Sequence, residues 1–184
     1  MGGAPADAFR QISEDTVFEG KLIRVALGDF VSPSGATITR ELVRHPGAVS
    51  VVPIVGDHVV MVRQYRAAIG HDLLEIPAGK RDVADEPPEV TAARELVEEI
   101  GLRPRALELL AGFYNSAGFT DEYCYVYLAT EFDAATAEAH GEEEEHMTVE
   151  HVPLAEIDAM IADGRLRDAK SIIGLLLAMR RLGR

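Results

Sequence analysis

Apolar residues recur along this chain with two periods. Val17 to Val31 alternates imperfectly and is rich in Val, Ile and Phe; Ser32-Pro33-Ser34-Gly35 then turns it into Ala36 to Val43, which predicts a hairpin. Val49 to Val55 and His58 to Gln64 make a second hairpin about Gly56-Asp57. Leu73 to Pro77, Leu107 to Tyr114, Tyr123 to Ala129 and Thr148 to Val152 are further strand candidates. The period lengthens to that of a helix over Val90 to Ile100, Leu154 to Ala162 and Lys170 to Leu182. Strands outnumber helices and come in hairpins, so a mixed sheet flanked by helices is expected rather than a doubly wound parallel sheet. The pattern shows no internal repeat and no long low-complexity linker.

With 184 residues, 47% of them hydrophobic, the chain suits one globular domain with a full core. Its longest apolar runs, such as Ser171 to Met179, reach about half of the roughly 20 residues a membrane helix needs. Met1 to Ser13 carries a single Arg and no continuous apolar stretch, so residues 1–15 read as a poorly ordered lead-in rather than a signal peptide. Cytoplasmic residence is the expectation. The lone cysteine, Cys124, lies in the apolar run Tyr123 to Ala129 and is expected to pack in the core.

A formal charge of −13 argues against a nucleic-acid groove and against adhesion to anionic membranes. The excess is local. Ala106 to Gly164 has fourteen acids and no Lys or Arg, whereas the rest of the chain has seventeen acids against eighteen cations. Such a field repels a phosphate ester, so an anionic substrate would need a cation between it and these carboxylates, a divalent metal being the simplest. The four consecutive glutamates Glu142 to Glu145 can equally be a solvated loop. Neither a Gly-Lys-Ser/Thr phosphate loop nor a dinucleotide fingerprint is present.

On the helix Val90 to Ile100, Ala93, Leu96, Val97 and Ile100 follow the spacing of a buried stripe, leaving Arg94, Glu95, Glu98 and Glu99 on the other side. Residues three and four apart are neighbours on a helix, so Glu95 projects beside Glu98 and Glu99. Like charges at that spacing cost a few tenths of a kcal/mol per pair. A bound cation would explain the cluster, and an all-oxygen ligand set suits Mg²⁺ or Mn²⁺ rather than zinc. An ordinary charged face with Arg94 offsetting part of the repulsion is the alternative. Gly101 provides a C-terminal stop, and Gly79 is expected to give the preceding turn whichever sign of φ it needs.

The segment from Gly79-Lys80-Arg81-Asp82-Val83-Ala84-Asp85-Glu86 through Arg94-Glu95-Leu96-Val97-Glu98-Glu99-Ile100-Gly101-Leu102 resembles the Nudix box, in which a Gly, five residues, a Glu and seven residues precede Arg-Glu-U-x-Glu-Glu-x-Gly-U, U being aliphatic. From Glu86 onward every fixed position is satisfied; six residues rather than five separate Gly79 from Glu86. Beyond the box, the chain is similar to the ADP-ribose pyrophosphatase branch from about Thr16 to the last helix. The similarity runs through Thr39-Arg40-Glu41, His45-Pro46-Gly47-Ala48-Val49, Arg63-Gln64-Tyr65-Arg66, Leu74-Glu75-Ile76-Pro77-Ala78-Gly79 and Gly118-Phe119-Thr120-Asp121-Glu122. Where that branch usually has Ser-Pro-Gly, this chain has Ser116-Ala117-Gly118, which keeps nucleotide sugars and other ADP-linked diphosphates in play.

The resemblance implies an α/β fold: an α/β/α sandwich with a mixed sheet over residues 47–184, preceded by N-terminal strands at 16–46 that help form a homodimer. It implies Mg²⁺-dependent hydrolysis of ADP-ribose to AMP and ribose 5-phosphate, with a catalytically idle nucleotide-binding domain as the reading from another class. Glu95 and Glu99 are the implied principal metal ligands, with Glu98 sharing or supporting them and the Ala78 carbonyl completing the site. Arg94 and Glu86 are expected to hold the loop to the helix. Matching Glu143-Glu144-Glu145-His146-Met147 to the branch's acidic loop points to Glu143 as general base and Glu145 as an additional ligand, with Glu142 and Glu144 open alternatives. Arg66 and Arg40 are implied phosphate contacts and Glu122 a contact to a ribose hydroxyl. The six histidines have no metal-ligand spacing and are expected to be structural or exposed.

Overall fold

The computed structural model describes residues 8–137 and 145–184. Two compact units emerge: the chain up to Gly47 together with Tyr114–Tyr123, and Ala48–Phe113 together with Cys124–Arg184.

In the first unit, β1 (Arg10–Glu19), β2 (Arg24–Val31) and β3 (Thr37–Arg44) form an antiparallel sheet in the order β1-β2-β3. The single strand expected from Val17 to Val31 is two strands, because the Gly20 N–H closes a turn onto the Ile23 carbonyl at 2.9 Å. The lead-in is also shorter than expected. Arg10 to Asp15 lie in β1, held by backbone pairing while their side chains stay largely exposed, so they carry no alternation to read. Ionic contacts reinforce this sheet: Glu14 is paired by Arg44 and, at 3.0 Å, by Arg24. Arg44 also reaches Asp121 at 3.1 Å, and the Val43 N–H donates to the Phe119 carbonyl at 2.7 Å, which fastens Tyr114–Tyr123 to β3.

The second unit contains β4 (Ala48–Val55), β5 (His58–Arg66), β6 (His71–Glu75), β7 (Ala78–Lys80), α1 (Pro88–Ile100), β8 (Leu102–Pro104), β9 (Glu108–Tyr114), β10 (Tyr123–Ala129), β11 (Phe132–Ala134), β12 (Thr148–Pro153), α2 (Ile157–Ala162) and α3 (Ala169–Leu182). Its main sheet runs β12-β5-β4-β10-β9, with β6 added to β5 and β7 to β4, while β8 and β11 pair separately. β10 is parallel to β4, whereas β5, β7 and β12 pair antiparallel, so the sheet is mixed.

Both faces of this sheet are covered, which is why β4 and β10 read as continuous apolar runs. Val49, Val51, Tyr127 and Ala129 pack with Ala92 and Leu96 of α1. The alternate positions, Val52, Ile54, Val126 and Leu128, join Met61, Leu74 and Ile76 against Ile157 and Met160 of α2 and Leu175 and Ala178 of α3. Helix on one side and helices on the other make this unit an α/β/α sandwich. Cys124 is buried among them.

Local chemistry sets the helix ends. α1 begins with Pro88, whose missing N–H would be unsatisfied there in any case, and ends at Gly101, left-handed with φ 67° and an N–H bonded back to the Val97 carbonyl. α3 is capped by Asp168, whose carboxylate accepts from the Ser171 N–H at 2.9 Å. Among the described residues no helix is long and apolar enough to cross a membrane.

Candidate active site

The site is built where β7 meets α1. β7 pairs with β4 in the register Ser50↔Ala78, Val49↔Gly79 and Ala48↔Lys80, which fixes its backbone beside the helix. The helix turns a different face inward from the one its apolar spacing implied. Thr91, Ala92, Leu96 and Glu99 are the buried positions, while Ala93 and Val97 are only half-buried. The reason is chemical: β7 presents the Ala78 N–H to the helix, and Glu99 accepts it at 3.1 Å while only 7% exposed.

Gly79 has a different purpose from the one its turn suggested. It is absent from the glycines with positive φ and lies in β7. What it supplies is room, since a Cβ there would lie well under 3.0 Å from the Cγ, Cδ and Oε1 of Glu95. The Glu95 side chain is thus seated against the bare backbone of β7, with 14% of its surface exposed.

Arg94 balances the carboxylates. Its Nη1 pairs with Glu95 at 3.0 Å and Glu98 at 2.9 Å, and its Nη2 lies 3.5 Å from Glu86. Burial works against the Arg94 charge, but Glu95, Glu98 and Glu86 outweigh it and hold the guanidinium above its ordinary pKa. Glu86 in turn accepts from the fully buried Thr91 hydroxyl at 2.7 Å, tying the loop to the first turn of α1. Asp85, just before it, takes a left-handed conformation with φ 61°, which Asp accepts more readily than branched residues do. It turns the chain within the loop that is one residue longer than the box pattern.

Arg66, at the end of β5, belongs to the same unit. Its Nε and Nη2 fork onto Glu75 at 2.6 and 2.8 Å, and Glu99 is close enough to favour its charge. Arg40 and Glu122 belong to the other unit. Arg40 is exposed on β3 and donates to the Thr39 carbonyl at 2.8 Å; Glu122 is half-buried, with its N–H on the Thr120 hydroxyl at 3.2 Å. Glu145 is exposed, while Glu142, Glu143 and Glu144 lie outside the described residues. Four residues around this site escaped the sequence reading: Thr91, Glu75, Lys170 and Ser171. Glu75 alone left a signal, as a single charge within the apolar run Leu73-Leu74-Glu75-Ile76.

The donor set fits a hard divalent cation. Glu95 and the buried Glu99 lie beside a backbone strand, Glu98 shares Arg94 with Glu95, and the seat of Glu95 requires the bare backbone of Gly79. Among the described residues no three acidic, His or Cys side chains are drawn together as a preformed cluster; Arg94 stands between Glu95 and Glu98.

Comparison with known proteins gives three kinds of likeness. The NUDIX domain family pattern matches residues 44–173. The chain is 36% identical over 167 residues to the methanol dehydrogenase activator of Bacillus methanolicus, covering 90% of each chain. It is 39% identical over 170 residues to the ADP-ribose pyrophosphatase of Mycobacterium tuberculosis, covering 91% of this chain and 82% of that one. A solved structure described as an ADP compounds hydrolase superposes with a TM-score of 0.84 over 98% of this chain and 97% of its own, at 23% identity, a likeness of fold.

Proposed function

The chain belongs to the NUDIX domain family, and from that premise we propose that it hydrolyses the diphosphate bridge of ADP-ribose, giving AMP and ribose 5-phosphate. The observation that carries the reading is the seat of Glu95 and Glu99 against β7, with Glu98 joined to Glu95 through Arg94 and Arg66 nearby, in a chain 39% identical to an ADP-ribose pyrophosphatase. In the reaction, the oxygen of water forms a new bond to one phosphorus as the bridging P–O bond to that phosphorus breaks, and the proton lost by water balances the leaving phosphate.

Glu95, Glu98, Glu99 and the Ala78 carbonyl would hold Mg²⁺, or Mn²⁺ in its stead. Once bound, such a cation neutralises charge on the diphosphate and acidifies water. The protein's own residues do the remainder. Arg94 pairs with Glu95 and Glu98 and holds them close; the Ala78 N–H orients Glu99; Arg66 takes a phosphate oxygen. Arg40 is a second phosphate contact and Glu122 accepts from a ribose hydroxyl. Glu143 removes the proton of the attacking water, with Glu145 as an additional metal ligand.

Exposed apolar side chains on and beside the N-terminal sheet, Phe9, Ile12, Val17, Phe18 and Leu27, support a homodimer formed through residues 16–46. The formal charge of −13 supports small-molecule partners rather than nucleic acid or an anionic membrane, and residence in the cytoplasm is part of the same proposal.

The test is a panel of ADP-ribose, nucleotide sugars and other nucleoside diphosphate derivatives, assayed for AMP or phosphate release with and without Mg²⁺. Mg²⁺-dependent AMP release with ADP-ribose preferred is the expected result. Preference for a nucleotide sugar would move the substrate within the class, and no turnover of any member would overturn the enzymatic reading.

A further inference from the structure

Glu75 is an anomaly in the second unit: a carboxylate only 1% exposed, at the end of β6, between Leu74 and Ile76, which both belong to the core. An ionised group so deeply buried survives only when paired. Two cations meet it. Arg66 forks onto it through Nε at 2.6 Å and Nη2 at 2.8 Å, and Lys170, near the start of α3, pairs with its Oε2. Lys170 also reaches Asp168 at 3.0 Å, so two cations and two anions make a neutral quartet. Burial alone would raise the Glu75 pKa; Arg66 and Lys170 overcome that and hold it below the ordinary carboxylate value.

The edge of Arg66 that is engaged matters more than the pairing itself. A guanidinium has five N–H donors. Glu75 takes the Nε–H and one hydrogen of Nη2, so three donors remain, both on Nη1 and one on Nη2. One hydrogen of Nη1 and the remaining one of Nη2 form the adjacent edge of the planar group, which is the geometry that matches two oxygens of a phosphate. Among the described residues these three make no hydrogen bond, and the side chain is 40% exposed. The inner edge is therefore held by a buried anion while the outer edge is turned away from it. Glu99, on the helix face that carries the metal-ligand candidates, acts on the same guanidinium through its charge.

We propose that Glu75 is a positioning residue. Its carboxylate clamps the Nε edge of Arg66 and leaves the adjacent Nη1–Nη2 edge to the diphosphate oxygens of the substrate. Lys170 supplies the second positive charge that keeps the clamp ionised, so the anion does not depend on Arg66 alone. The proposal rests on the reading of Arg66 as a phosphate contact. It adds why that arginine points one way and what fixes it there. A Lys in its place would lose the second edge, because an ammonium cannot be forked from two sides.

The experiment has two arms on the full chain. The first follows the Arg66 Nε–H resonance, identified by its disappearance in Arg66→Ala, in ¹⁵N-labelled protein without substrate. Glu75→Asp keeps the charge but withdraws the carboxylate by one methylene, about 1.5 Å. It is expected to speed exchange of that hydrogen with solvent at least about tenfold while the melting temperature stays within a few degrees. The second arm is a double-mutant cycle in kcat/KM with ADP-ribose. Glu75→Asp is expected to lower kcat/KM about tenfold in the parent chain and to change nothing further in the Arg66→Ala background. An unchanged Nε–H resonance in Glu75→Asp overturns the clamp, and so do effects that multiply across the cycle. Should the parent chain turn over no diphosphate, the functional reading fails separately, and the resonance still decides whether Glu75 holds Arg66.

Discussion

Replacing Gly79 by Ala separates catalysis from stability. A Cβ at this position would lie well inside 3.0 Å of three atoms of the Glu95 side chain. The backbone of β7 cannot yield easily, because its register with β4 is pinned on both sides of Gly79, at Ala78 and Lys80. Glu95 must therefore retreat by about 1 Å or more to reach the roughly 3.5–4.0 Å of ordinary carbon contact. Metal–oxygen distances tolerate about 0.2 Å. A displacement of about 1 Å at a reacting centre costs about a hundredfold in rate, so kcat is expected to fall by about that factor. The fold loses far less: an off-rotamer Glu95 costs about 0.5–1.5 kcal/mol. Stiffening the unfolded chain at a glycine without positive φ returns about 0.4–1 kcal/mol. For a chain of this length that leaves Tm within about 4 °C of the parent. The assay is steady-state turnover of ADP-ribose across a Mg²⁺ titration, alongside thermal unfolding. Activity within about threefold of the parent at unchanged Mg²⁺ dependence would refute the argument. A large fall in Tm would show that the strand moved rather than the carboxylate.

Glu99→Gln should abolish turnover yet leave the fold intact, since the amide oxygen can still accept from the Ala78 N–H; near-parental activity at saturating Mg²⁺ would rule out its place in the metal site. Of the four changes Glu142→Gln, Glu143→Gln, Glu144→Gln and Glu145→Gln, one, with Glu143 expected, should lower kcat by about a hundredfold, the scale of a lost general base. Four small effects would remove the base from this run. In the N-terminal sheet, hydrogen bonds from Arg44, then Gln11, hold Glu14 at about 2 against an ordinary 4.5. Because the folded value is the lower one, the stabilisation is present above about 4.5 and is lost as pH falls through about 2. NMR titration should find Glu14 still ionised at pH 3.5, and unfolding midpoints of Glu14→Gln should depend less on acid than those of the parent.

The sequence by itself determined what depends on near neighbours along the chain. The stop of α1 at Gly101, the Gly56 hairpin and the placing of Glu95 three and four positions from Glu98 and Glu99 follow from caps, turns and helical periodicity, while α1 itself starts at Pro88, two residues before the expected Val90. Strands that outnumber helices and come in hairpins implied a mixed sheet flanked by helices, and the box pattern named the candidate metal ligands. The polar β1, with little buried surface, offered no alternation and began earlier than its pattern implied.

Tertiary structure decided which way each charge faces. Glu99 was assigned to the solvent side on spacing, but an N–H from β7 draws it inward. Gly79 looked like a turn residue, and only the approach of Glu95 shows why it has no side chain. Glu75 meets Lys170 across 95 positions of sequence, and its hold on Arg66 depends on β5 and β6 lying side by side. Such pairings arise because burying a charge is costly without a partner, and the packed core alone selects which residues come close enough to serve.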